Sequence, residues 1–179
     1  MHGRSVVPII ETERLRLRAH TYDDLANCTE MWTDPNVTLH ISGTPSTLQK
    51  TWSGMLAYVG HWSFMGFGYW LLEEKVSGKF VGEAGLADFK RDIVPAMRGF
   101  PEFGFALATH AHGKGYATEA GLAVVAWADA NLTHPKTVCL INPENVRSLR
   151  VAEKCGYRVF EQGVFSGKPA LFLERLRRE

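Results

Sequence analysis

His110-Ala-His-Gly-Lys-Gly-Tyr-Ala-Thr-Glu-Ala120 follows an alternating stretch, Glu102 to Thr109, and leads into an apolar-rich one that runs to Ala130. The first reads as a strand, the glycine-bearing middle as a turn, and Gly115 to Ala130 as a helix. A helix starting directly after such a turn presents unpaired N–H groups and the positive end of its dipole, which suits a phosphate or pyrophosphate. Gly113 and Gly115 let the main chain approach that anion with no Cβ in the way. A G-x-G turn also occurs where glycine serves conformation alone. The chain has no G-x-x-x-x-G-K-[ST] and no G-x-G-x-x-G after an early strand, which removes the P-loop and the dinucleotide fingerprint. His110 and His112 lack further ligands at metal-site spacing, so no metal is expected. No G-x-S-x-G nucleophile elbow is present either.

Working outward, Arg14 to Arg18 reads as a strand and Tyr22 to Thr33 as a helix capped by Thr21 and closed by Asp34-Pro35. A second helix is expected from Pro45, with Thr44 as its N-cap and Gly60 at its end. Its core stripe would be Leu48, Trp52, Met55, Leu56 and Val59. Phe67 to Glu73 and Lys79 to Ala87 form a hairpin around Ser77-Gly78, and Arg91 to Gly99 reads as a loop. Thr137 to Ile141 is a strand, Asn145 to Cys155 a helix ended by Gly156, and Tyr157 to Phe165 with Ala170 to Leu176 a closing hairpin. The order β-α-α-β-β-β-α-β-α-β-β indicates an α/β (mixed α+β) fold with helices on both faces of one sheet. With 179 residues and no linker, 1–179 is read as a single domain.

Twenty Lys plus Arg against nineteen Asp plus Glu leave a net charge of +1, which argues against a general nucleic-acid or membrane-surface binder. The basic Arg175 to Arg178 end reads as a solvated terminus. Three cysteines, Cys28, Cys139 and Cys155, form no C-x-x-C pair and suit reduced thiols. With no secretory signal and no apolar run of membrane-spanning length, a cytoplasmic location is expected. In Asn142-Pro-Glu-Asn145-Val-Arg-Ser148, Asn145 would cap a helix with Ser148 in its first turn.

These motifs resemble those of the GNAT N-acetyltransferase superfamily. The turn is similar to its acyl-CoA motif [Q/R]-x-x-G-x-[G/A], with His110 in the place of Gln or Arg. Asn142-x-x-Asn145-x-x-Ser148 with Glu153-Lys154-x-Gly156-Tyr157 resembles the later motif of its RimJ/RimL-like branch. Thr12-Glu-Arg-Leu-Arg-Leu-Arg18, Trp32-Thr-Asp-Pro-Asn-Val37, Gly82-Glu-Ala-Gly-Leu86 and Glu102-Phe-Gly-Phe-Ala-Leu107 resemble that branch's opening strand, first helix end, third strand and fourth strand. Together they span residues 12 to 176 in the right order.

The resemblance implies a GNAT-like, mostly antiparallel sheet of about seven strands, splayed between the fourth and fifth, and acetyl transfer from acetyl-CoA to an amine. The backbone of His112, Gly113, Lys114, Gly115, Tyr116 and Ala117 would hold the pyrophosphate. Phe105, Ala106 and Leu107 would pair with pantetheine as an added strand, and Asn142 and Asn145 would position cofactor or acceptor. A protonated amine cannot attack, so a base is needed. Glu102 is the first candidate, Glu83 the second and His110 the third. The tyrosine that often protonates the leaving thiolate is replaced by Ala152, and Ser148, one turn earlier, would donate a hydrogen bond instead. The acceptor would be a small-molecule amine or a protein N-terminus, with no nucleic acid and no membrane as partner, and the chain a monomer or homodimer. Two other classes stand beside this: a non-catalytic acyl-CoA sensor with the same fold, and a metal hydrolase built on His110 and His112.

Overall fold

Leu15 and Leu17 alternate with arginines and are fully buried, so the opening stretch forms a strand with one face in the core. The computed structural model describes residues 7–95 and 97–178. After a short β1 (Ile10–Glu11), the elements are β2 (Leu15–Arg18), α1 (Leu25–Thr33), α2 (Pro35–Thr38), α3 (Leu48–Met65), β3 (Tyr69–Glu74) and β4 (Phe80–Ala87). Then come β5 (Glu102–Leu107), α4 (Tyr116–Asn131), β6 (Lys136–Ile141), α5 (Val146–Lys154), β7 (Arg158–Phe165) and β8 (Lys168–Leu176). The expected elements all form. The sheet has eight strands in the order β1-β2-β3-β4-β5-β6-β8-β7, one more than expected because Ile10–Glu11 pairs with β2.

Every neighbouring pair is antiparallel except β5–β6, which is parallel and registers only at Glu102 opposite Val138. The remainder of β5 therefore lacks a ladder on that side, and the splay lies where it was expected, between β5 and β6 once β1 is counted. On one face of the sheet, Phe103, Leu107, Ala84, Leu86, Trp70 and Leu72 pack with Ala120, Val124 and Ala128 of α4 and Ala152 of α5. On the other, Leu71 packs with Cys28 of α1 and Met55 of α3. No helix among the described residues is long and apolar enough to cross a membrane.

The second helix departs from expectation in both ends and facing. Thr47, not Thr44, caps it: its hydroxyl accepts from Lys50 N–H at 3.2 Å, and Pro45 stays outside. The helix passes through Gly60, where a helical glycine costs only about 1 kcal/mol, and stops at Gly66 in the left-handed region. The buried row is Thr51, Met55 and Trp62, whereas Leu48, Leu56 and Val59 are exposed and Trp52 is at the margin. The inward stripe shares Met55 with the one read in the sequence but is turned from it by roughly 60–70°.

Candidate active site

The turn after β5 begins with a single 3-10 turn, Thr109–Ala111, which consumes the N–H of Ala111 and of His112. Gly113 and Gly115 then take φ of 76° and 82°, left-handed values that glycine adopts without strain. From Gly113 to Thr118 the main-chain N–H groups donate to no carbonyl or side chain among the described residues, and Gly115 caps α4 without any side-chain bond. Such a row of free donors at the positive end of a sixteen-residue helix has the geometry to accept an anion. His112, grouped with these donors in the sequence, instead gives its N–H to Thr109 and sets its ring against the Leu107 carbonyl at 2.8 Å.

Remote segments fix this turn. Glu119 accepts from the Thr12 hydroxyl at 2.5 Å, the Arg14 main chain at 2.7 Å and the Arg14 guanidinium at 2.7 Å. Arg14 also donates to the Lys114 carbonyl at 2.9 Å and lies 4.7 Å from the centre of the Tyr116 ring. Tyr116 in turn donates to Glu74. Thr109 donates to Asp34, the cap of α2, at 2.5 Å. His110 meets the Phe80 carbonyl at 2.9 Å, so its ring and that of His112 hold different carbonyls and do not form a metal pair. The opening strand, the first helix end and the glycine turn, remote in sequence, are one assembly in space.

β5 and β6 run parallel, so the glycine turn and the Asn142–Ser148 segment both leave from their carboxyl ends, at the open end of the splay. There Asn142 Oδ1 accepts from Glu144 N–H at 2.8 Å, and Asn145 Oδ1 accepts from Ser148 N–H at 3.1 Å, capping α5. Both asparagines thus spend their oxygens locally. Ser148 is half-buried in the first turn of α5, and its hydroxyl has no partner among the described residues.

On β5, Glu102, Gly104 and Ala106 share the face turned towards α1 and α3, opposite Phe103 and Phe105. Glu102 is buried and holds both oxygens against Arg91, at 2.8 and 3.0 Å. The Arg91 guanidinium lies between the rings of Phe89 and Phe165, 4.7 and 4.6 Å from their centres. To accept a proton Glu102 would have to part from that clamp. Glu83, opposite Ala106 on the neighbouring strand, is fully closed from solvent. One of its oxygens accepts from Trp32 Nε1 at 2.9 Å; the other meets His20 Nε2 at 2.9 Å and Cys28 Sγ at 3.3 Å. Burial, followed by the Glu83 charge, pushes the Cys28 thiol far up, so it remains a donor. The His20, Cys28 and Glu83 ligand atoms lie within 4.8 Å of one another, but a metal ion there would have to displace both the thiol proton and the His20–Glu83 hydrogen bond.

His20, Cys28 and Tyr58 were not singled out as site residues by the sequence, whereas Trp32, Tyr69 and the loop from Arg91 to Gly99 fall in the part expected to wall the acceptor side. Tyr58 stacks on Tyr69 with ring centres 4.4 Å apart, and His20 lies 5.3 Å from Tyr58. The Tyr69 hydroxyl sits directly over Gly104: a Cβ at Gly104 would fall 2.1 Å from it. The only sequence signal for this wall was its excess of aromatic residues, which does not separate wall from core.

Residues 14–158 match the model of the acetyltransferase (GNAT) domain. The chain is 30% identical over 168 residues to the uncharacterized protein YkkB of Bacillus subtilis (strain 168), covering 92% of this chain and 93% of that one. A putative GnaT-family acetyltransferase from Bordetella pertussis superposes with a TM-score of 0.82 at 30% identity, over 94% of this chain and 99% of the other. A spermidine N-acetyltransferase from Vibrio cholerae, solved with CoA and spermine, shares the fold at a TM-score of 0.72 and 17% identity, over 93% and 97% of the two chains. The free N–H row beside an incomplete strand ladder thus falls within a domain already described for acetyl transfer, and the chain belongs to the GNAT acetyltransferase family.

Proposed function

We propose that the protein transfers an acetyl group from acetyl-CoA to a primary amine of a small molecule or a protein N-terminus, by direct attack on the thioester. The observation that carries this is the row of unpaired N–H groups from Gly113 to Thr118 at the open end of the β5–β6 splay. A pyrophosphate satisfies those donors, and pantetheine laid along Phe105, Ala106 and Leu107 supplies the ladder that β6 does not. Lys114 is exposed and adds positive charge beside the turn. Asn142 and Asn145 keep their amide N–H2 groups for cofactor or acceptor, their oxygens being spent.

Acetyl-CoA brings the acetyl group as a thioester whose thiol has a pKa of roughly 8.5, a fair leaving group. The Ser148 hydroxyl donates a hydrogen bond to the sulfur as it gains charge, in the place of the absent tyrosine: Ala152, at that position, is fully buried. The acceptor enters on the Glu102–Gly104–Ala106 face, whose carboxylates are Glu102, clamped by Arg91, and Glu83, held by its three partners. The order of motifs from Thr12 to Tyr157 supports a place in the RimJ/RimL-like branch. Three free, buried cysteines support a cytoplasmic setting.

A thermal-shift titration with acetyl-CoA and CoA, against ATP and NADH, tests the reading. Ligand at about 100 times its Kd adds roughly 2.7 kcal/mol, which for this size raises Tm by about 5–10 °C. Thiol release is then read with a polyamine, an aminoglycoside and an alanine-led peptide as acceptors. No shift at millimolar acetyl-CoA overturns the proposal, and binding without turnover of any amine favours a sensor.

A further inference from the structure

The contacts around Glu83 dictate where protons sit. An indole N–H can only donate, and the Cys28 thiol keeps its proton, so both point protons at the carboxylate. A carboxylate has none to give in return, so the proton in the 2.9 Å contact with His20 belongs to Nε2. With that proton on Nε2, a ring carrying a single N–H presents Nδ1 as a lone pair; among the described residues no donor meets it, and the side chain is only 2% exposed. A ring oriented by a carboxylate on one nitrogen and unpartnered on the other is the arrangement of a proton acceptor.

Its placement fits that use. Glu83 stands opposite Ala106, within the β5 segment assigned to pantetheine. His20 abuts Tyr58, Tyr58 stacks on Tyr69, and the Tyr69 hydroxyl covers Gly104, one residue before that segment. Glu102 lies on the far side of Gly104, with both oxygens taken by Arg91.

Resting on the acetyl-transfer reading above, we propose that His20, held as the Nε2–H tautomer by Glu83, takes the proton from the acceptor amine, which binds against the Tyr58–Tyr69 wall beside Gly104. An ammonium N–H bond breaks and its proton passes to Nδ1, directly or through one water, leaving the electron pair on nitrogen. That pair forms the N–C bond to the thioester carbonyl carbon. The C–S bond breaks with its electrons on sulfur, and the second nitrogen proton goes to the thiolate beside Ser148. Once the product leaves, His20 gives this proton to water that enters the emptied acceptor site. The imidazolium formed in between is balanced by Glu83.

The titratable groups facing His20 are Glu83 from β4, Cys28 from α1, Tyr58 from α3 and Tyr69 from β3. Burial first, then neighbouring charge, pushes both phenols and the thiol upward. They stay protonated across the working range, and Glu83 is the single counter-charge in that set.

The test has two arms, both on the full chain with acetyl-CoA. Nitrogen-15 spectra of the histidine side chains at pH 7.5 need no acceptor: His20 is expected to show a protonated Nε2 and a bare Nδ1, and Glu83→Gln to lose that preference. A proton on Nδ1, or an imidazolium at that pH, overturns the proposal outright. With an amine that the wild type acetylates, His20→Gln should lower kcat/KM about 100-fold at pH 7 while acetyl-CoA affinity stays within threefold. That deficit should shrink as pH approaches the amine's own pKa, where the nucleophile forms unaided. Added imidazole should restore part of the rate to His20→Ala, which a merely structural role would not allow. A rate within threefold of wild type, a deficit equal at every pH, or the loss appearing in Glu102→Gln instead would each overturn it. A wild-type chain that binds no acetyl-CoA defeats the acetyl-transfer reading, and does so before His20 is at issue.

Discussion

The turn at Gly113–Thr118 offers main chain, whereas the face of β4 and β5 opposite α4 offers side chains, and the two are stabilised in opposite ways. The turn leaves its N–H groups unpaired and is braced from outside by Glu119, Arg14 and Thr12. The β4–β5 face pairs its charges internally: Glu83 with Trp32, Cys28 and His20, and Glu102 with Arg91. A backbone cradle tolerates side-chain change, and the His110 ring is spent on the Phe80 carbonyl rather than on the turn. A side-chain face does not tolerate it. Substitutions at the face should therefore cost stability first, and substitutions at the turn should cost cofactor affinity first.

The largest effect should come from the face. Glu83→Ala strands the indole, imidazole and thiol donors in a site closed to water, and is expected to lower unfolding free energy by about 3–5 kcal/mol. Urea denaturation measures this, and a loss below about 1 kcal/mol would mean the donors find water. At the turn, Gly115→Val forces a β-branched residue to φ 82° at strain of about 1–3 kcal/mol and re-aims the N–H groups. Calorimetric titration should then show acetyl-CoA binding weakened by about 100-fold or more, since each lost tenfold is about 1.4 kcal/mol of misdirected donors. Unchanged affinity would break the contrast between the two regions.

Glu119 separates brace from cradle. Burial works against its charge, but the Thr12 hydroxyl and the Arg14 main chain and guanidinium outweigh it and hold the carboxyl below its ordinary value of 4.5. A carboxylate depressed by folding contributes stability that is present above its unfolded pKa and disappears as pH falls through the folded value. The wild type should lose this contribution on acidification below about pH 5, and Glu119→Gln, already without it, should show a shallower acid limb. At neutral pH the same variant frees Arg14 and should weaken acetyl-CoA binding by about tenfold, one charge-assisted hydrogen bond's worth. Denaturation at several pH values, paired with titration calorimetry, reads both.

What the sequence made legible follows the same division. The strand–turn–helix at Glu102 to Ala130 is local, so alternation and two glycines sufficed to place it. The opening Thr12-x-Arg14 and Thr118-Glu119 were visible as motifs, but that they bind each other was not, because 105 residues separate Arg14 from Glu119. The Glu83 node draws on His20, Cys28 and Trp32, whose convergence depends on how α1 lies across the sheet. The facing of α3 was misread for a related reason: Leu48, Trp52, Leu56 and Val59 are as apolar as a core stripe, and only the buried Thr51 and Trp62 reveal the true one. Pattern identifies an amphipathic helix; its partner fixes the rotation.

Ser148 gives the smallest effect and the finest cut between the regions, because it belongs to neither. Its N–H is committed to Asn145, which holds the first turn of α5 in place whether or not a hydroxyl is present. Ser148→Ala should therefore leave stability within about 0.5 kcal/mol and acetyl-CoA affinity unchanged. The hydroxyl matters only as negative charge collects on sulfur, and a thiolate needs little help. With that charge only partly developed the bond is worth about 0.5–1.5 kcal/mol, so kcat should fall by roughly 2- to 10-fold with KM steady. A poorer leaving group sharpens the test. With an oxygen ester of the same acyl donor, whose leaving group is far more basic, the Ser148→Ala deficit should grow, since the donor then faces a charge that needs it. An equal deficit for both donors would place Ser148 in binding rather than in departure of the leaving group.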